Sequence, residues 1–211
     1  MVPVPGLNPP PNGDAARRLE TILVIGNGPS LSVVDRSALS GLTMIVINSA
    51  ARWAANIAGP NDLLYFTDNS WSERFPAHIA DWPGRVMTSN TQASKRLGCG
   101  WVDVTDLTLW AGLAQDDAQA SSGHAAVLLA LRAGWKRIIL LGFDGGPVQG
   151  RTHWHQHYRE ADHQVYGARH LPAWARIQAR CIASGTRLIN ASRDSHIRSI
   201  PIKDLAEALA C

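Results

Sequence analysis

The chain has little cysteine, and what it has does not pair. Cys99, Cys181 and Cys211 are odd in number, far apart, and form no C-x-x-C unit. That excludes a disulfide-stapled scaffold or a zinc ribbon and suits a reducing compartment. Long apolar runs are also missing. None reaches 18 residues, and the opening MVPVPGLNPPPNGD lacks a charged stretch followed by an apolar one, so a soluble, cytoplasmic protein with no membrane partner is expected. Charge is sparse: Asp, Glu, Lys and Arg make up 18% of 211 residues and the net charge is +3. With only isolated basic pairs such as Arg17-Arg18 and Lys136-Arg137, and no aromatic-basic stripe, nothing in the pattern marks a nucleic-acid groove. The G-x-G-x-x-G, Walker and G-x-S-x-G patterns are absent too, as are two-residue hairpin turns.

What is present is an alternation of short apolar runs with helix-like segments. Runs at 22–25, 44–48, 63–67, 85–88, 138–142 and 187–190 read as strands, with a short one at 101–104. Helices are expected at 31–39, 50–57, 71–79, 124–133, 171–183 and 203–209, while 91–120 reads as irregular. This predicts a single Rossmann-like α/β domain over 20–211, with a mostly parallel sheet covered by helices on both faces. Residues 1–19 read as a flexible proline-rich arm, since five of the twelve prolines fall within the first 16 positions.

Polar residues gather at the carboxyl ends of these runs: Asn27, Asn48, Asp68, Asn90, Asp144 and Asn190. In an open parallel sheet such ends share one edge, where ligands bind. The first unit, TILVIGNGPSL, predicts a strand, a glycine turn able to take positive φ, and a helix start. Its free N–H groups would attract an anion, with Pro29 in the first turn and Ser30 or Asn27 as cap. Ser121-Ser122-Gly123 precedes the Ala/Leu-rich helix and reads as a second capped helix start, suited to binding rather than nucleophilic attack. Five of the eight histidines, His153, His155, His157, His163 and His170, lie in a long polar loop. They can bind phosphate, ligate a metal, provide a general acid or base, or simply face solvent.

ILVIGNGPSL, VINSA, LYFTDNS, VMTSN and ASSGHAAVLLALRAGWKRIILLGFD follow the order and approximate spacing of motifs in the bacterial sialyltransferases of glycosyltransferase family 42, which the chain resembles over about 21–146. The GNGPSL start, the HWH loop and the N-A-S-R segment at 190–193 also resemble uncharacterised phage proteins. A more distant similarity runs to archaeal-type hydroxymethylpterin pyrophosphokinases. The first resemblance implies a glycosyltransferase using a nucleotide-sugar donor of CMP or UDP type, with no obligatory metal. It implies nucleotide contacts at Asn27, Gly28, Ser30, Asn48 and Ser122; Pro29, Asp68, Asn90, Ser121, Gly123, Asp144 and His153 join them as neighbours on the strand-end edge or loop. Asp68 stands where the family usually has Asn. His170 or His163 is implied as base, with Tyr158 and Tyr166 serving the leaving phosphate, and His155 stands with the catalytic candidates. The phage likeness implies a host-cytoplasm setting and allows modified DNA as acceptor or, failing catalysis, an assembly role. An oligomer is allowed. Under the pyrophosphokinase likeness, Asp68 and Asp144 would hold Mg²⁺.

Overall fold

Three of the apolar runs are buried at every residue, which only a central strand covered on both faces achieves. In the computed structural model these are β1 (Thr21–Ile25) and, later in the chain, Leu63–Phe66 and Arg137–Leu141. The structure describes residue 7 and residues 20–114, 117, 121–155 and 170–210. In chain order the strands are β1, β2 (Thr43–Ile47), β3 (Leu63–Phe66), β4 (Arg85–Thr88), β5 (Gly100–Trp101), β6 (Arg137–Leu141) and β7 (Arg187–Asn190). The helices are α1 (Ala50–Ala54), α2 (Asn69–Arg74), α3 (Pro76–Ala80), α4 (Thr91–Leu97), α5 (Val104–Ala111), α6 (Ser122–Arg132), α7 (Leu171–Ala183) and α8 (Leu205–Ala210).

The seven strands form one sheet in the order β5-β4-β3-β2-β1-β6-β7, and every pairing is parallel. The period of two sorts the side chains. Ile22, Val24, Ile45, Ile47, Ile138 and Leu140 join α5, α6 and α7 on one face. Leu23, Ile25, Met44, Val46, Ile139 and Leu141 meet Trp53, Trp71 and α8 on the other. Helix α6 is buried from Ser122 to Leu131, and its Ala125, Ala126 and Ala130 let it lie close against the sheet. Cys181 on α7 is fully buried, and burial pushes its thiol up to about 12. Among the described residues no helix is long and apolar enough to cross a membrane.

The helix expected at 31–39 is instead two 3-10 turns, Pro29–Val33 and Arg36–Leu39. Asp35 between them accepts hydrogen bonds from the N–H and hydroxyl of Ser37, so a side chain satisfies the backbone where a continuous helix would have to. The segment 71–79 divides at Phe75-Pro76, because Pro76 has no N–H to continue α2 and serves as the first residue of α3. The stretch 91–120 is more regular than expected: Asn90 caps α4 and Gly98 ends it, while Asp103 caps α5 and Gly112 ends it. The strand expected at 101–104 shrinks to β5, since Asp103 is already a cap. Of the proline-rich stretch, Leu7 is described. It is buried in the core, and its carbonyl accepts a 2.6 Å hydrogen bond from Trp135 Nε1. The rest of the expected arm lies outside the described residues.

Candidate functional site

β1 has β2 on one side and β6 on the other, so the chain reverses its direction of travel across the sheet at β1/β6. Such a switch point opens a crevice at the carboxyl ends of the strands. A cavity of about 360 Å³ lies there, walled by the ends of β1, β2 and β6, the start of α6, Thr152-His153 and the start of α7.

The GNGPS turn differs from the anion loop that the sequence suggests. Neither Gly26 nor Gly28 has positive φ. Gly26 N–H donates to Leu141 O, Gly28 N–H to Gly142 O, and Leu31 N–H to Gly28 O. Ser30 gives both its N–H and its hydroxyl to Asp144 Oδ2, at 3.2 and 3.0 Å. These donors are therefore spent, and a carboxylate from the protein occupies the place of a bound anion. Glycine is needed at 28 for close approach: a Cβ there would lie 1.9 Å from Asp144 Oδ2 and 2.7 Å from Gly142 O.

Asp144 is 2% exposed, and its other oxygen, Oδ1, has no partner. Burial chiefly, with nearby Asp194 adding to it, raises its carboxyl above the usual range against the lowering pull of the Ser30 bonds and His196. Two amide oxygens on the same wall are likewise buried without partners, Oδ1 of Asn27 and of Asn48. Asn27 Nδ2 donates to Ile47 O at 3.1 Å, which orients that amide. Asn48 holds a left-handed φ of 49°, a conformation Asn tolerates better than most residues.

The opposite wall is the head of α6. The Ser121 side chain caps it, and the Ser122 hydroxyl shares a 2.8 Å hydrogen bond with Thr67. The first-turn N–H groups of Ser122 and Gly123 have no place in the helix ladder and sit at the cavity. His124, fully buried one step deeper, packs on the Trp174 ring at 4.2 Å. Its Nε2 lies 3.2 Å from the His170 carbonyl, an acceptor, so Nε2 carries the proton and Nδ1 accepts the Ser121 hydroxyl at 2.7 Å. The heads of α6 and α7 are thereby tied together. On the third side Trp154 N–H donates to Asn27 O at 3.0 Å, drawing the histidine loop over β1. Burial lowers the His153 imidazole below its ordinary value, so it is neutral at pH 7.

The cavity thus brings together Asn27, Gly28, Asn48, Asp68, Ser121, Ser122, Gly123, Asp144, His153 and His170 of the residues expected from sequence. Pro29, Ser30, Asn90 and His155 are not on its wall: Ser30 is under Asp144, Asn90 caps α4 on a strand three places from β1, and the His155 ring stacks on His153 at 5.5 Å. Tyr158, His163 and Tyr166, with His157, lie outside the described residues. Sequence reasoning missed Trp71, Phe143, Thr152 and Trp174, apolar or ordinary residues whose place only packing sets. It also missed a brace. Asn190 Nδ2 donates to Phe143 O and Ser195 Oγ, and Ser192 Oγ accepts from Phe143 N–H, so the N-A-S-R segment holds the Phe143-Asp144 turn in position.

As a metal centre the donor set is thin. Asp68 accepts from the N–H and hydroxyl of Ser70, Asp144 keeps one open oxygen, and among the described residues no three His, Cys, Asp or Glu side chains could hold an ion.

No family model matches the chain, and no curated protein matches it. Among solved structures, the sialyltransferase CST-II in complex with a trisaccharide acceptor and CMP aligns at 13% identity over 86% of this chain and 85% of that one, with a TM-score of 0.57. The monofunctional α-2,3-sialyltransferase Cst-I from Campylobacter jejuni aligns at 12% identity over 87% and 80%, with a TM-score of 0.59. A point mutant of the α-2,3/8-sialyltransferase CstII gives 15% identity and a TM-score of 0.54. At these identities the shared property is the fold: a single Rossmann-like α/β domain with a seven-stranded parallel sheet, of the kind these glycosyltransferases use.

Proposed function

We propose that the chain is a glycosyltransferase that moves a sugar from a nucleotide-sugar donor, of CMP type by likeness to the CMP-bound neighbour, to an acceptor hydroxyl. The observation that carries this reading is one cavity at the β1/β6 switch point, with a buried helix head on one wall and unpartnered polar oxygens on the other. The Ser122 and Gly123 N–H groups at the positive end of α6 would receive the donor phosphate. Asn27, Asn48 and Asp144 would meet the nucleoside. His153, kept neutral by burial, would take the proton from the acceptor hydroxyl as its oxygen bonds to the sugar and the phosphate leaves with the bonding pair. His170, at the head of α7, is the second imidazole that lines the cavity. The acceptor classes of this reading are an oligosaccharide hydroxyl, such as the trisaccharide of the CMP-bound neighbour, and, in a phage setting, a hydroxyl on modified DNA.

A thermal-shift panel of CMP, UDP, GDP, ATP and their sugar conjugates tests it, since a ligand that binds only the native state raises the midpoint by mass action. A rise with CMP or a CMP-sugar that survives EDTA is the expected result. A rise only with ATP and Mg²⁺ would replace the reading with a pyrophosphokinase, and silence across the panel would end it.

A further inference from the structure

The GNGPS turn and the head of α6 both lie on the cavity wall, yet their chemistry is opposite. At the turn, the N–H groups of Gly26, Gly28 and Ser30 are taken, by Leu141 O, Gly142 O and Asp144 Oδ2 respectively, and Pro29 has none to offer. A buried carboxylate stands there, and no Lys or Arg is among the described residues of the wall. A phosphate beside Asp144 would be repelled with nothing to offset it. What this end offers is acceptors. Oδ1 of Asp144, Asn27 and Asn48 are all buried and all unpartnered, and such atoms cost free energy until something donates to them.

Asp144 is the strongest of the three. Ser30 engages its Oδ2 twice, which leaves Oδ1 as the open acceptor of a residue on the cavity wall, and a carboxylate oxygen can take two adjacent O–H donors. Two neighbouring hydroxyls on a small ring are the diol of a ribose. We propose that Asp144, held by Ser30 against Gly28 and supported by the amide oxygens of Asn27 and Asn48, reads the ribose hydroxyls of the donor and makes the site selective for ribonucleotides over 2′-deoxyribonucleotides. This rests on the nucleotide-sugar reading above and adds which part of the nucleotide meets which wall: the ribose at the β1/β6 turn, the phosphate at α6.

The test is calorimetric titration in EDTA of the full chain with CMP, 2′-deoxy-CMP and UMP, for the native protein and Asp144→Asn. A hydrogen bond to a charged acceptor contributes ~1.5–3 kcal/mol, so native protein should bind CMP at least about tenfold more tightly than 2′-deoxy-CMP. The Asn variant keeps an amide oxygen for Ser30 and turns a donor toward the ribose, and should bring that ratio to within about threefold. Equal binding of CMP and 2′-deoxy-CMP to native protein overturns the proposal while leaving the nucleotide-sugar reading standing. That arm needs no variant, so poor folding of D144N does not rescue the idea. Loss in D144N of a CMP-over-UMP preference, with the deoxy ratio unchanged, overturns it in favour of a base amine on Asp144. In a separate EDTA-free thermal melt, a saturable stabilisation of native protein by Mg²⁺ alone, absent in D144N, overturns it in favour of a cation. Failure of every nucleotide to bind native protein overturns both readings.

Discussion

Gly28→Ala puts the packing of the site to a direct test. The added Cβ would sit 1.9 Å from Asp144 Oδ2 and 2.7 Å from Gly142 O, with the Asp144 Cγ at 2.9 Å. Backbone φ at Gly28 is −69°, which alanine adopts freely, so no torsional strain enters and the whole effect is steric. Gly142 O is fixed by its bond from Gly28 N–H, so the carboxylate must give way. Overpacking a dense interior costs ~1–3 kcal/mol. Displacing Oδ2 also breaks the bonds from Ser30 N–H and Oγ, each with a charged acceptor, and leaves a buried carboxylate short of donors, adding ~1.5–3 kcal/mol or more. The sum is about 2.5–6 kcal/mol. For a chain of this size 1 kcal/mol moves Tm by ~2–4 °C, so a fall of roughly 5–24 °C is expected in calorimetry, with a matching fall in the urea midpoint. Because one carboxylate carries most of this cost, adding Asp144→Ala should make it non-additive: Gly28→Ala in that background should cost less than half as much. A Gly28→Ala protein whose Tm lies within 2 °C of native would refute the reasoning, as would strict additivity in the cycle.

Two further outcomes follow from burial. The folded His153 imidazole has its affinity for protons lowered, so below about pH 6.5 the unfolded chain binds a proton that the folded chain refuses. Stability should therefore fall as pH drops through that window, and His153→Gln should flatten this part of the profile in denaturant titrations at pH 5 to 8; an unchanged slope would show that His153 is not desolvated. Leu7, 1% exposed in the core, should behave as a core residue despite its proline-rich surroundings. Leu7→Ala should destabilise by about 2–3 kcal/mol in urea, whereas a change under about 0.5 kcal/mol would mean that burial of the Leu7 side chain contributes nothing in solution.

The strands were legible because a parallel strand buried on both faces must be an unbroken apolar run, and TILVI, TMIVI and RIILL are such runs. The strand-end polar residues were legible for a related reason: a polar side chain that closes such a run sits at one edge of the sheet. Some of these led astray. Asn90 and Asn190 follow the same pattern as Asn27 and Asn48, yet one caps α4 and the other braces Phe143. The pattern marks the edge; strand order sets Asn90 apart, but Asn48 and Asn190 each end a strand one place from the β1/β6 pair, and only packing decides that Asn48 lines the cavity while Asn190 braces the turn.

By itself the sequence determined the class of fold, most strand positions, the buried α6, the helix α7, and the edge on which a site would lie, since these depend on local periodicity, caps and propensity. Only the tertiary structure decided the chemistry of the first turn. GNGPS reads as an anion loop until Asp144, 114 positions from Ser30, arrives on the neighbouring strand and takes the free N–H for its own carboxylate. The same holds for His124, whose tautomer and partners come from the head of α7, 46 positions away. Local sequence sets which groups a turn offers; whether those groups stay free is settled by what packs against them.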